Sequence, residues 1–199
     1  LGVGDTTVPG LGCLLTCDDG PQPKGTTAML AALARRTAPA TFFLVGEQVA
    51  RDPALAAEIV AAGHQVGLHC DRHRSLLRLT PWQVREDLLR ARDRIEHATG
   101  VQIDTYRPPY GVFNAAALAL ARSYNWRPLL WSGWGRDWEA RATPRSIVRR
   151  LCAHAGEGSV LLLHDADDYG SAGSWRRTLG ALPLLWEQLE RRGLELVLR

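Results

Sequence analysis

The chain is nearly without lysine: Lys24 is the single one among 24 basic residues. The arginines are scattered, and 21 acidic residues bring the net charge to only +3, too little to imply a nucleic-acid partner. No stretch approaches the ~18 apolar residues needed to cross a bilayer. No CxxC pair occurs among Cys13, Cys17, Cys70 and Cys152, which argues against a zinc ribbon. The scatter of the four through predicted strands and helices favours buried thiols over two disulfides, and leaves the compartment open. Nothing like GxGxxG follows the first apolar run, so a dinucleotide site is not expected. Repeats, linkers and low-complexity segments are missing too. The 199 residues therefore predict one domain, residues 1–199, large enough to bury a sizeable core. No leader is visible, and because the numbering opens on Leu1 rather than Met, that carries no conclusion.

What is present is a regular alternation of apolar runs and helical patterns. Strands are expected at Gly12 to Cys17, Thr41 to Val45, Gln65 to Leu68, Asp104 to Arg107, Arg127 to Trp131, Ser159 to Leu163 and Leu194 to Leu198. Helices are expected at Thr26 to Arg36, Pro53 to Ala62, Thr80 to Thr99, Asn114 to Tyr124 and Pro144 to Ala155. A last helix, Trp175 to Arg192, is expected to be interrupted near Pro183. Thr80 and Thr143 read as N-caps before a proline, and Gly63 and Gly100 as helix stops. Seven such alternations imply parallel strands joined by crossover helices, in a closed or nearly closed barrel, with a flat doubly wound sheet as the rival.

The chemically suggestive residues fall where the expected strands end. LLTCDDGP places Asp18 and Asp19 side by side at the exit of the first strand. Adjacent carboxylates repel, so one is protonated or a cation sits between them. HCDRH follows the third strand, RPPYG the fourth, WSGWGRDW the fifth, and His164-Asp165 the sixth. In parallel α/β barrels that rim is where active sites assemble.

Each cluster also has a plain reading. His69 and His73 lie four apart, so one helical turn would aim both rings the same way. With a strand-end Asp they form an Asp-His-His set that leaves positions open for water and substrate; alone they are two solvated histidines on a turn. Pro108 and Pro109 remove two amide donors, which makes the Tyr110 N–H the first free donor on a stiff segment, suited to a developing oxyanion. Arg107 beside them can hold a carboxylate bidentately, or the segment is a rigid turn with a salt bridge. His164 is a general acid or a histidine satisfied at the core edge, with Asp137 available to orient it. Trp131, Trp134, Trp138 and Trp175 pack the core or offer platforms to sugar rings.

In this order, TCDDG, HCDRH, RPPYG, WSGWGRDW and VLLLHD resemble the five motifs of the polysaccharide deacetylases, the NodB-homology domain of carbohydrate esterase family 4. The resemblance runs from Cys13 to Leu198. It implies a distorted (β/α)7 barrel and metal-dependent hydrolysis of acetyl groups on a glycan. Peptidoglycan or a chitin-like polymer is the expected substrate, and the cell envelope or exterior the expected location. Carried over, Asp19, His69 and His73 would hold a divalent metal, zinc before cobalt or nickel. Asp18 would be the base on the metal-bound water, with Arg107 orienting it. The Tyr110 N–H would stabilise the oxyanion, and His164, tuned by Asp137, would be the acid. Trp131, Trp138 and Leu162 would bind substrate, with Trp131 and Leu162 around the acetyl methyl. The same machinery would serve an O-acetyl esterase on xylan or a deformylase or amidase on a lipid-linked sugar; a catalytically silent glycan-binding module has no need of it.

Three departures stand out. Cys17 replaces the usual phenylalanine, and Trp134 stands where an Asp is common. Cys70 replaces a Ser or Thr, so a hydroxyl hydrogen bond behind the metal ligands is weakened or lost. Two thiols close to the expected metal also raise the idea of a redox pair, against the plainer reading of inert buried cysteines.

Overall fold

A computed structural model describes residues 12–198. Seven strands form one all-parallel sheet in the order β5-β4-β3-β2-β1-β7-β6. They are β1 Leu14–Asp18, β2 Thr41–Val45, β3 Gln65–Cys70, β4 Thr105–Tyr106, β5 Arg127–Pro128, β6 Gly133–Trp134 and β7 Val160–His164. The helices are α1 Gly25–Ala34, α2 Gly46–Arg51, α3 Pro53–Ala61, α4 Pro81–Thr99, α5 Ala115–Ser123, α6 Pro144–Cys152 and α7 Ser174–Arg191.

Strands β1 and β2 are buried throughout, as expected of strands covered on both faces. Side chains alternate across them. Leu15 and Cys17 enter the large core beneath the helices, whereas Leu14 and Phe43 form a smaller inner cluster with Leu129 and Val160. At Gly67 of β3 a Cβ would come 2.7 Å from the Phe43 ring, so only glycine lets that ring fill the inside of the curl.

The sheet is a curled half-barrel. Its edge strands, β5 and β6, belong to opposite edges, yet only residues 129–132 separate them. The chain from Pro128 to Gly133 spans at most about 18 Å, so the edges must approach each other. Leu129 still donates to Tyr106 of β4, and Ser132 already donates to Val160 of β7. The chain thus steps from one edge to the other where a crossover helix would otherwise stand.

Several expectations need correction. The strand foreseen at Arg127 to Trp131 has only two residues: Pro128 has no donor for a ladder, which suits an edge strand. Strand β6, inside WSGWGRDW, and helix α2 were not foreseen, because neither carries enough residues to show a period. The last strand, Leu194 to Leu198, reduces to one parallel bridge between Cys13 and Leu196. Helix α7 is not interrupted. Pro183 lies on its solvent side, where water can take the released carbonyl, while Leu182, Leu185, Trp186 and Leu189 anchor the buried side. The foreseen caps hold: Thr80 and Gln83 form a capping box on α4, Gly100 ends that helix at φ 70, and Thr143 caps α6.

Candidate active site

Every strand-end cluster converges on one cavity of about 190 Å³ lined by Asp18, Asp19, His69, His73, Tyr110, Trp131, Trp134, Trp138, Leu162, His164 and Tyr169. The two acids diverge because the backbone turns between them. Asp18 continues β1 and points into the curl, whereas Asp19 adopts φ 83, a conformation that a non-glycine residue holds only under constraint. Tyr110 and Arg136 on the same rim also have positive φ, at 60° and 51°.

Asp19 Oδ1 lies 3.5 Å from His69 Nε2 and 3.4 Å from His73 Nε2, buried and with no hydrogen-bond partner among the described residues. All three ligand atoms fall within 4.8 Å of one another. Tetrahedral ligands at ~2.1 Å from an ion are ~3.4 Å apart, so the residues present fit a divalent cation. The His69 Nδ1–H donates to the Arg107 carbonyl at 2.7 Å, which leaves Nε2 as the lone-pair nitrogen facing Asp19. Burial, and next the neighbouring His69, lower the His73 pKa to about 4, against the pull of Asp19. The ring is therefore neutral and able to ligate at neutral pH. Burial alone would raise the Asp19 pKa, but His69, then His164 and His73, outweigh it and take the carboxyl down to about 2.

The two histidines do not share a helical turn, contrary to the simplest reading of HxxxH. His69 belongs to β3 and His73 to the loop after it. That loop is held by α4: Asp87 accepts from the Asp71 N–H and from Arg74, both at 2.8 Å, and Arg94 pairs with Asp71 at 2.6 Å. Asp71 was present in the motif, but its part in holding the loop gave no sequence signal.

Arg107 is wholly buried inside the curl. Its Nη1 donates to Asp18 Oδ1 at 2.7 Å and to the Thr16 hydroxyl at 2.8 Å; Nε and Nη2 donate to the carbonyls of Leu129 and Leu130. It does not grip the carboxylate bidentately as expected, because its remaining donors serve the step between the sheet edges. The Asp18 Oδ2 makes no hydrogen bond among the described residues. The Tyr110 N–H likewise has no acceptor among them.

Across the cavity, Asp137 Oδ1 lies 2.9 Å from His164 Nδ1, and its Oδ2 accepts from the His164 N–H and from Thr178. Burial alone would lower the His164 pKa, but Asp137, then Asp19 and Asp18, raise it to about 10. The His164 Nε2 lies 3.9 Å from Asp19 Oδ2, so this ring flanks the same carboxylate.

Residues 7–129 match the family model described as Polysaccharide deacetylase. The chain belongs to the polysaccharide deacetylase family. A chitooligosaccharide deacetylase from a Bradyrhizobium species is 36% identical over 189 residues, covering 92% of this chain and 86% of that one. A peptidoglycan-N-acetylglucosamine deacetylase from Bacillus cereus is 31% identical over 185 residues, covering 92% and 84%. The structure of a family 4 carbohydrate esterase from Streptomyces lividans in complex with acetate superposes with a TM-score of 0.84 at 30% identity, over 94% of this chain and 92% of that one. This deacetylase therefore shares both the half-barrel and the hydrolase class of its relatives.

Within the family framework its departures take definite places. Trp134 is 40% exposed and stacks on Trp131 at 5.8 Å, and Trp138 meets the edge of His164 at 5.1 Å. Trp175 is not part of this wall; it lies at the start of α7 beneath Arg176. All four cysteines are free and buried, and burial pushes the Cys17 and Cys70 thiols well up. Cys17 packs in the helix-side core rather than into the cavity, and no disulfide joins it to Cys70. One cavity-lining residue escaped the sequence reading, Tyr169, in an Asp/Gly-rich loop with no motif; Asp165, visible in the sequence only as the neighbour of His164, lies buried behind the site. The Asp165 carboxylate accepts from Thr26, and burial pushes its pKa up to about 7.

Proposed function

We infer that the protein removes acetyl groups from N-acetylated glycans of the peptidoglycan or chitin type. The observation that carries this reading is the gap between Asp19, His69 and His73. It is ion-sized and buried at the base of the cavity, with Asp18 on one flank and His164 on the other. A divalent cation held there, zinc before cobalt or nickel, supplies Lewis acidity toward a water and the acetyl carbonyl. Asp18, oriented through Oδ1 by Arg107, takes the proton of the attacking water with its free oxygen as the water's oxygen bonds to the acetyl carbon. The Tyr110 N–H, without an acceptor among the described residues, is available to the oxyanion. When the carbon–nitrogen bond breaks, His164 gives its Nε2 proton to the departing amine; its raised pKa keeps that proton in place at neutral pH. Acetate and a free amine are the products. Leu162 and Trp131 line the cavity where the acetyl methyl would sit, with Trp138 and Trp134 beyond them toward the sugar.

The 1–199 span acts as one catalytic domain, its first residues and Arg199 lying outside the described part. The relatives' named substrates favour a site of action in the cell envelope or outside the cell. Among the described residues no helix is long and apolar enough to cross a membrane. The test is acetate release from N-acetylglucosamine oligomers, peptidoglycan and acetylxylan side by side. Release from the first two is expected, and release from acetylxylan alone would move the assignment to an O-acetyl esterase. Asp18→Asn should bind zinc as the parent does while losing about 10²–10⁴-fold in turnover; undiminished turnover removes the base assignment.

A further inference from the structure

The two imidazoles facing Asp19 are held in different ways. His69 is oriented through its far nitrogen, which donates to the Arg107 carbonyl at 2.7 Å. The far nitrogen of His73, Nδ1, is buried and has no partner among the described residues. Ligating histidines nearly always donate that second N–H, because the bond sets the ring's tilt and raises its basicity. His73 instead lies between two tyrosines. The Tyr169 ring stacks on it at 4.4 Å and 16°, and the Tyr110 ring meets it edge-on at 4.7 Å.

Tyr169 is itself anchored. Its hydroxyl donates to Glu47 Oε1 at 2.8 Å and accepts from Gln48 Nε2 at 3.4 Å, both on α2. Burial, then Glu47, push its pKa up, so it remains the donor. The Glu47 N–H donates to the Asp71 carbonyl in the loop that carries His73, so the anchor and the ring it supports share one short circuit. An imidazole bound to a cation is electron-poor, whereas a phenol donating to a carboxylate is electron-rich. Their stacking therefore strengthens on loading, and a contact stronger in the loaded state stabilises that state by linkage.

We propose that Tyr169 is the positioning residue for His73, substituting a ring stack tethered to Glu47 for the hydrogen bond that Nδ1 does not make, and that it thereby sets the site's affinity for a divalent cation. The proposal rests on the cation-site reading above. Zinc affinity of the full chain, measured against a chromophoric chelator, tests it together with the visible absorption of the cobalt-loaded protein. Tyr169→Leu should weaken zinc binding about 10–100-fold and shift the cobalt bands as His73 tilts. Tyr169→Phe and Glu47→Ala, which keep an aromatic ring on His73 but release its tether, should each weaken it by a smaller factor.

A Leu variant that folds, binds zinc within twofold of the parent and leaves the cobalt spectrum unchanged overturns the proposal. Should that variant fail to fold by circular dichroism, parental affinity in both the Phe and the Ala variants overturns it equally. The parent protein separates the two readings. Uptake of cation by the parent with no sensitivity to Tyr169 sinks this inference alone, whereas no uptake by the parent sinks the cation site with it.

Discussion

Arg107 links the inside of the curl to the base of the site. Its guanidinium lies 4.0 Å from the Phe43 ring centroid and bonds Asp18, while its carbonyl orients His69. Arg107→Ala would leave the Asp18 carboxylate buried and unpaired, and the carbonyls of Leu129 and Leu130 without their donors. Loss of one partner from such a pair costs about 3–5 kcal/mol, which urea unfolding would register as a lower midpoint. Arg107→Lys should recover little of it, because an ammonium cannot spread over four acceptors. His164 supports a pH prediction. An acid with its pKa raised to about 10 keeps its proton through neutrality and loses it in alkali. Asp137→Asn removes the charge that raises it, so the alkaline limb of the kcat profile should move to lower pH by about one unit or more. An unmoved limb would assign the acid elsewhere. Sequence alone named Arg107, Asp137 and His164, since each sits in a motif. It could not show that Arg107 spends its donors on two carbonyls of the edge-crossing segment, because those contacts join chain positions 22 and 23 residues away.

At the scale of elements, α4 is the best case for local legibility. A threonine cap, a proline in the first turn and a closing glycine act within a few residues of one another, so the pattern is complete in the sequence. Strand β5 is the opposite case: an apolar run reads as a full strand, but pairing partners decide how much of it is used. The turn after β7 carries a prediction of its own. Asp165, wholly buried, keeps its proton up to about pH 7, whereas in the unfolded chain it would release it near pH ~4. Across that window the folded state binds the extra proton, so stability from this group falls as pH rises from ~4 to ~7 and is level above. Asp165→Asn should flatten that part of a melting-temperature profile, with its largest gain over the parent above pH ~7. A parallel decline in parent and variant would dismiss the group as the cause. Gly111 is a further element-scale constraint: at φ 68 its Cβ would come 2.6 Å from Trp131. Gly111→Ala should displace that ring from the cavity and lower kcat/KM for acetylated oligomers about tenfold or more, with smaller loss of global stability.

For the whole molecule, the site ties together elements far apart in the chain. Asp19 follows β1, the two imidazoles come from β3 and its loop, and His164 ends β7. A cation gripped by the first three therefore cross-links the sheet. Chelation of the loaded protein should lower its melting temperature, and added zinc should restore it in a concentration-dependent way, as a ligand that binds only the folded state must do. A melting temperature indifferent to both treatments would contradict a cation held at this point. What the sequence by itself determined is the alternation of strands and helices, the caps, and the placing of chemical groups at strand ends, because period, capping and turn chemistry act over short distances. Tertiary structure alone decided the open curl, the step from one edge to the other at residues 129–132, the loop rather than helix beneath His73, and the stacked Tyr169. Each of these depends on contacts between distant segments, whose energies no local pattern encodes.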